Sequence, residues 1–152
     1  MAHKLFSHKL LVTPAVNPKS LWQIRVPTNG RVLLHAIEFE PGGSTPAAAP
    51  LEFDFGIQAA DGTYDTDDSA NLVKEIPAYS GSILSTVFVT NSVEPSTTTP
   101  HEWITVHQQA RLRWTPPTKS GMLILDTATR WALRNIGAVL GIPLRLKFVL
   151  EE

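Results

Sequence analysis

Short segments in which apolar and polar residues alternate limit the possible folds of this chain more than any other feature. LEFDFGIQ, residues 51–58, is the clearest example, and similar runs recur in LWQIRV, RVLLHAIEF, SILSTVFVT, EWITVHQ, ARLRWT, RWALRN and LRLKFVLEE. Successive side chains of a β-strand point to opposite faces, so this alternation predicts about eight or nine half-buried strands. In the first segment the predicted inner face is Leu51, Phe53, Phe55 and Ile57, and the predicted outer face is Glu52, Asp54 and Gln58.

The segments between the strands are rich in proline, glycine and threonine, as in PGGSTPAAAP at residues 41–50 and NSVEPSTTTP at residues 91–100. Many short strands with such connections predict an all-β fold, an antiparallel β-sandwich or barrel. The connection at residues 41–50 is too long for a tight hairpin and is predicted to carry the chain from one sheet to the other. Asn29 and Gly30 in the turn PTNG tolerate positive φ, which predicts a hairpin between the strands on either side.

Residues 126–141 fit two structures. A helix would begin after Asp126 as its N-cap. Thr127 and Gly137 are weak helix formers, and the residues from Arg130 onward also alternate. These features favour a strand followed by a turn.

The N-terminal segment contains apolar anchors, but Pro14 and Pro18 prevent one long regular element. We predict an extended N-terminal arm of residues 1–19, followed by a β-sandwich domain of residues 20–152. Such an arm gains order by lying across a neighbouring copy of the chain. The alternative is a first strand over residues 5–12 on the sheet of its own domain.

Charge is distributed unevenly, although the formal net charge is only −1. Residues 1–37 sum to +5, residues 38–75 to −8 and the remainder to +2. This polarity suits contact between copies, or docking on an acidic protein surface; an uneven solvated surface is the alternative. The basic segment is too sparse for a nucleic-acid stripe, so no nucleic-acid partner is expected. The candidate interface residues are Lys4, Phe6, Lys9, Leu10, Asp61, Asp65, Asp67 and Asp68.

The sequence contains no motif that indicates catalysis or a cofactor. The absence of cysteine excludes disulfides, thiolate catalysis and cysteine-based zinc sites. In HEWITVH, Thr105 stands where the helix-borne His-Glu-x-x-His pattern needs its second histidine, and His101 and His107 would lie about 20 Å apart on one strand. The acidic run DGTYDTDD, residues 61–68, does not match an EF-hand calcium loop. We therefore expect no enzymatic activity, no metal and no cofactor.

The tryptophans lie within strand patterns among aliphatic residues. Aromatic rings in such positions more often fill a sandwich core or a subunit interface than a ligand site. A surface on which sugar rings stack is the alternative. The four residues are Trp22, Trp103, Trp114 and Trp131.

The segment VPTNGRVLLHAIEF, followed by an alanine- and proline-rich loop and LEFDFGIQAADGT, resembles the small head decoration proteins of tailed bacteriophages. The late segment RWALRNIGAVLGIPLRLKFVLEE is similar to the closing part of that family, which ends nearly flush with two glutamates. The resemblance covers roughly residues 20–152 in layout. It implies a jelly-roll-like sandwich without catalytic residues that assembles on the outer capsid shell, often as a homotrimer, and stabilises it.

The partners that the resemblance implies are the major capsid protein and further copies of the chain. The implied location is the outer capsid surface of a virion, after synthesis in the host cytoplasm. No apolar run is long enough for a transmembrane helix, so no membrane partner is expected. A receptor- or glycan-binding virion module with the same fold is the alternative function, and a cupin-like metalloenzyme is the third.

Overall fold

The computed structural model describes residues 4–15, 18–42, 49–76, 81–95, 97–138 and 141–152. Within them the chain forms twelve β-strands and one short 3₁₀ helix, Ser69–Asn71, between the fifth and sixth strands. The strands are β1 (Leu5–Val12), β2 (Lys19–Arg25), β3 (Val32–Pro41), β4 (Leu51–Gln58), β5 (Thr63–Asp67), β6 (Val73–Lys74), β7 (Thr86–Val93), β8 (Thr98–Val106), β9 (Leu112–Trp114), β10 (Leu123–Leu125), β11 (Arg130–Asn135) and β12 (Leu144–Glu151).

The strands form two antiparallel sheets that pack face to face. Sheet A has the order β10-β3-β12-β1-β6, with β9 also paired to β3, and sheet B has the order β5-β7-β2-β11-β4-β8. The prediction of an all-β antiparallel sandwich is therefore confirmed. Its jelly-roll detail stays a prediction.

The core lies between the sheets and is dominated by aromatic rings. The Trp22 ring of sheet B stacks on the Phe148 ring of sheet A, with centroids 3.8 Å apart and planes 6° apart. Phe55 lies 6.5 Å from Trp22 and 5.3 Å from Trp131, centroid to centroid. Stacked rings from facing strands hold the two sheets together, because each buried aromatic side chain removes a large apolar area from water.

The N-terminal segment forms a strand of the sandwich, so the predicted arm is wrong for residues 5–12. Strand β1 pairs with β12 along its whole length, and Phe6 and Ser7 also pair with β6. The Phe6 side chain is fully buried in the core. The reason is the alternation of Phe6, His8 and Leu10, which gives β1 an apolar inner face that the sandwich can bury. The alternative of a first strand over residues 5–12 is the correct one.

The turn PTNG passes between the sheets, so the predicted hairpin is wrong. Strand β2 lies in sheet B between β7 and β11, whereas β3 lies in sheet A. Backbone hydrogen bonds tie the turn to the start of β11 instead: Val26 N donates to Thr129 O at 2.9 Å, and Ala128 N donates to Pro27 O at 3.3 Å.

Two other predictions, the crossover after β3 and the strand within residues 126–141, are confirmed. Strand β3 lies in sheet A and β4 in sheet B, which confirms the predicted crossover, although residues 43–48 of that connection lie outside the described residues. Residues 130–135 form β11 between β2 and β4, which confirms the strand that was favoured over a helix in residues 126–141; residues 139–140 lie outside the described residues.

Strand β4 follows the predicted pattern at three of its four inner positions and at one of its three outer positions. Leu51, Phe53 and Phe55 are buried as predicted, but Ile57 is 36% exposed, and both Asp54 and Gln58 are buried rather than outward in solvent. The register with β8 shifts between Phe55 and Gly56, where β8 contributes one extra residue, and Ile57 lies beyond this bulge near the end of the strand. Polar side chains on neighbouring strands cover the outer face of sheet B and bury the two predicted outward residues.

Gly56 occupies a position where the backbone of β8 leaves no room for a side chain. A Cβ atom at Gly56 would lie 2.2 Å from Thr99 O and 2.9 Å from Pro100 Cα. We expect Gly56→Ala to lower the free energy of unfolding by about 3 kcal/mol, because backbone must move to admit the methyl group. Urea unfolding measures this, with Gly121→Ala as the control for a glycine whose Cβ would meet no atom but whose φ is positive. An equal or larger loss in the control would contradict the steric explanation.

Candidate functional site

Two of the predicted interface residues belong to the core, which corrects their assignment. Phe6 has no exposed surface, and Leu10 is partly buried against the core cluster. Both point inward from β1, on the face opposite to Lys9. The strand pairing of residues 5–12 buries them, so they are unavailable to a partner.

The predicted lysines lie at the surface of sheet A. Lys4 Nζ donates to Ser82 O at 2.6 Å and so holds the segment before β7 against the start of β1. Lys9 is exposed on the outer face of the sheet, directly across from Lys147 of β12. Lys9 is the predicted basic residue that remains open to a partner.

The predicted acidic residues are mostly engaged within the chain. Asp61 forms ion pairs with Arg130 and with Arg25, Asp67 accepts hydrogen bonds from the backbone N and Oγ of Ser69, and Asp68 contacts His8. The bonds from Ser69 hold the pKa of Asp67 below its usual value. Asp65 lies in β5, and its side chain is outside the described part of the structure. Within the described residues, no group of three or more His, Asp or Glu residues is placed to hold a metal ion.

A groove on the outer face of sheet A brings together charged side chains from three strands. It has a volume of about 460 Å³ and runs between β1 and β12, with Lys9, Leu11, Arg145 and Lys147 among its lining residues and Glu38 and Glu40 of β3 beside them. A second depression of about 280 Å³ continues it past Leu11 and Arg145 to Pro41 and Pro143. Sequence reasoning missed this site, because only the β1-β12-β3 register brings these distant residues together.

The charges in the groove do not balance. Glu40 pairs with Arg111 at 2.6 Å and more loosely with Arg145 at 3.7 Å, and Glu38 pairs with Arg113. Lys147 reaches Glu75 at 3.3 Å. Contact with Ser7 and the charges of Lys147 and Lys9 lower the pKa of Glu75. Lys9 and Lys147 face each other across paired strands, and the Glu75 carboxylate offsets part of their mutual repulsion. The face is therefore basic overall and fits an acidic surface.

A buried polar network covers part of the outer face of sheet B. Gln58 Oε1 accepts from Gln23 Nε2 at 2.6 Å and from the Tyr64 hydroxyl at 2.9 Å. Gln58 Nε2 donates to Ser20 Oγ, which donates to Glu94 Oε2 at 2.8 Å. Burial raises the pKa of Tyr64 to about 12, so its hydroxyl keeps the proton that it donates. The network ties β5 and the end of β7 to the sheet, which is a structural role.

The tryptophans divide between the core and the surface. Trp22 and Trp131 are buried and Trp114 packs partly against the core, as the strand patterns predict. Trp103 is 70% exposed on β8. This exposure excludes a position in the core, and a position of Trp103 at a subunit interface stays a prediction. His101 lies over the edge of the core with its ring centroid 5.4 Å from that of Trp131.

His8 is a buried titratable group between β1 and the 3₁₀ helix. Its Nε2 lies 2.7 Å from Asp68 Oδ2, and its side chain has no exposed surface. Burial lowers the pKa of His8, and the hydrogen bond and charge of Asp68 oppose this effect without cancelling it. The folded chain therefore binds a proton at His8 less readily than the unfolded chain does.

This difference predicts a loss of stability in mild acid. The pKa of His8 in the folded chain lies below its value of about 6.5 in the unfolded chain. His8 therefore makes its full contribution to the free energy of unfolding above about pH 6.5, and this contribution decreases as the pH falls through and below that value. Urea unfolding at about pH 7.5 and about pH 5.5 should show a smaller free energy of unfolding at the lower pH. The variant His8→Gln should lose part of this difference, while His107→Gln, at an exposed histidine, should keep it. Equal pH dependence of the free energy of unfolding in both variants would mean that titratable groups other than His8 cause the loss of stability.

Comparison of the chain with protein-family models, with curated proteins and with solved structures finds no match in any of the three. In the described residues, no helix has the length and apolar character needed to span a membrane.

Proposed function

We propose that the chain is a virion structural protein, without enzymatic activity, that binds the outer surface of a phage capsid and stabilises the shell by non-covalent clamping. The resemblance to head decoration proteins supplies the class of function. The groove of sheet A is the structural feature that supports the proposal, and its lining indicates which residues would contact the shell. In this account the partner on the shell is the major capsid protein, and copies of the chain bind there as a homotrimer.

The groove combines the two kinds of contact that a clamp needs. Leu11, which is 67% exposed, supplies apolar surface, and Lys9, Arg145 and Lys147 surround it with positive charge. Apolar area contributes affinity, while complementary charge selects the partner and orients it. A shell presents many identical acidic sites, so modest contacts per copy add up when copies are linked to one another.

The rigid support of the groove also suits a clamp. Its strands β1, β12 and β3 are the central strands of sheet A, and their inner side chains pack into the aromatic core. Leu146 and Phe148, which alternate with Arg145 and Lys147 on β12, are buried. The cations are therefore presented from a fixed backbone, which lowers the entropy that is lost on binding.

The proposal is tested with shells of the tailed phage that encodes the chain, prepared without it. Purified protein should sediment with these shells and saturate at a fixed number of copies. Arg145→Glu should weaken this binding about tenfold, because it reverses a charge that is 71% exposed at the groove. Arg31→Glu, a matched reversal on the turn before β3, should leave binding within about twofold. Equal binding by both variants would remove the groove from the proposal, and no sedimentation of the wild type would contradict the function.

Trp103 favours one second candidate, a receptor- or glycan-binding virion module. Its ring is the most exposed large apolar side chain in the described residues and lies on the edge strand β8. A flat exposed ring offers a face on which a sugar can stack. Glycan-array binding that is lost in Trp103→Ala would support this candidate, whereas a blank array would leave the shell clamp as the better account.

A further inference from the structure

One side of the sandwich has open backbone edges in both sheets. Strand β6 covers β1 only at Phe6 and Ser7, so residues 8–12 pair with β12 on one side and with no described strand on the other. Strand β5 is the end strand of sheet B, and its outer edge is likewise open among the described strands. Free N–H and C=O groups along a strand are a template for pairing with another chain.

The two open edges lie next to each other. β5, the 3₁₀ helix and β6 follow one another along the chain, and β6 pairs with β1. The contact of 2.7 Å between His8 Nε2 and Asp68 Oδ2 joins β1 directly to the end of β5. We call this side of the molecule, formed by β1, β6, β5 and β7, the open side.

Exposed apolar side chains are concentrated on the open side. Eight large apolar side chains are exposed in the described residues, and five of them lie on β1, β6 or β7 or next to these strands. Those five are Leu11, Val73, Ile76, Leu84 and Val93. Leu84 belongs to this group because its backbone N donates to the Glu152 carboxylate, and Glu152 N donates to Lys4 O beside β1. These side chains lie near both ends of β1 and of β7, so they place apolar surface along the length of the open side.

The other ends of the sheets are protected against pairing. The far edge of sheet B is β8, which contains Pro100 and a register shift opposite Phe55 and Gly56. Sheet A ends at β10 and β9, which have three residues each. Proline, bulges, short strands and charged side chains are the usual devices that prevent edge pairing. The open part of β1 has only the charge of Lys9, and it exposes 67% of Leu11.

Charge decides which edges meet. The open part of β1 contains Lys9, and β5 contains Asp65 and Asp67. Pairing β1 with β1 of a second copy would oppose lysines, and pairing β5 with β5 would oppose aspartates. Only the mixed contact brings opposite charges together. We infer that the open edge of β1 in one copy adds to the β5 edge of a second copy and extends its sheet B.

This contact joins Lys9, from the basic first quarter of the chain, to a strand of the acidic second quarter. Because β1 and β5 lie on the same side, each copy can offer β1 to one neighbour and β5 to the other. A head-to-tail contact of this kind closes a ring when the rotation between copies permits it. The inference deepens the proposed function by naming the contact between copies, and it rests on the self-association in that proposal but not on binding to a shell.

Charge exchange tests the contact by solution mass, measured by light scattering over a range of concentrations. The wild type should associate. Lys9→Glu and Asp67→Lys, at an exposed carboxylate of β5, should each raise the concentration of half-association about tenfold. The double variant Lys9→Glu with Asp67→Lys should restore association, because it exchanges the two charges that the contact joins. Lys119→Glu in the loop before β10 and Asp126→Lys after β10 are the matched controls and should associate like the wild type.

Three results would overturn the inference: a wild type that stays monomeric at every concentration, single variants that associate as the wild type does, or a double variant that is weaker than both single variants. Thermal unfolding confirms that each variant is folded before its mass is read. Binding to shells is measured separately with the Arg145→Glu variant. A protein that binds shells as a monomer would therefore end this inference without ending the proposed function, and an associating protein that ignores shells would do the reverse.

Discussion

Replacing Trp22 with alanine is expected to lower the free energy of unfolding by about 3–5 kcal/mol. The side chain is fully buried between the sheets, stacked at 3.8 Å on Phe148 of the opposite sheet and 6.5 Å from Phe55, centroid to centroid. Alanine would remove the apolar area of the indole and leave a cavity that stacked rings on fixed strands cannot fill. Urea unfolding followed by circular dichroism measures the difference.

Trp103→Ala is the matched control for this experiment. The same chemical change is made at a side chain that is 70% exposed, so the free energy of unfolding should change by no more than about 0.5 kcal/mol. Comparable losses in the two variants would mean that the stacking of Trp22 on Phe148 does not hold the sheets together.

Removing the Asp54 carboxylate is expected to have the second large effect, a loss of about 3 kcal/mol in Asp54→Ala. Asp54 is 1% exposed, and Arg134 binds both of its oxygens, with Nε 3.1 Å from Oδ1 and Nη2 2.5 Å from Oδ2. The hydrogen bond to Asp54 raises the pKa of Arg134. When Asp54 is removed the guanidinium still stays charged, because an arginine side chain does not lose its proton near neutral pH. The cost arises because that charge, with its side chain only 19% exposed, would lack its partner.

Glu40→Ala breaks an ion pair of the same type at the surface. Glu40 is 36% exposed and its partner Arg111 is 79% exposed, so water replaces the lost contact. The expected loss is at most about 1 kcal/mol. Urea unfolding of the two variants side by side compares the pairs, and an equal loss would show that burial does not set the difference between them.

The strands were predictable where one face of the strand is apolar and the other is polar. Trp22 and Ile24, or Phe53 and Phe55, alternate with polar residues, and the core selects one face of each strand. Prediction failed where the pairing of a strand depends on a partner that is distant in the sequence. The turn with Asn29 and Gly30 suits a hairpin locally, but β2 pairs with β7 and β11, which lie far along the chain.

The same limit applies to β1 and β4. The prolines after β1 suggested an arm, yet its eight residues pair with the last strand of the chain, a partner that no local pattern identifies. In β4 the burial of Asp54 depends on Arg134, and the burial of Gln58 depends on Gln23 and Tyr64. The alternating pattern alone predicts that polar residues face water. It does not show that a charged residue on another strand will cover one of them.

The candidate site was predicted in part. The uneven charge pointed to residues near Lys9 and to the acidic segment, and Lys9 is open as expected. Arg145, Lys147 and Glu40 were not singled out, because their proximity to Lys9 follows from strand register rather than from spacing in the sequence. Phe6 and Leu10 were assigned to an interface because their strand was taken for an arm.

The most direct test of the shell-clamp function is the temperature at which DNA-filled shells of the encoding phage, prepared without this protein, release their DNA. Shells saturated with the purified protein should withstand a higher temperature than bare shells, and Arg145→Glu at the same concentration should give less protection than Arg31→Glu. Release at the same temperature with and without saturating protein would contradict the account.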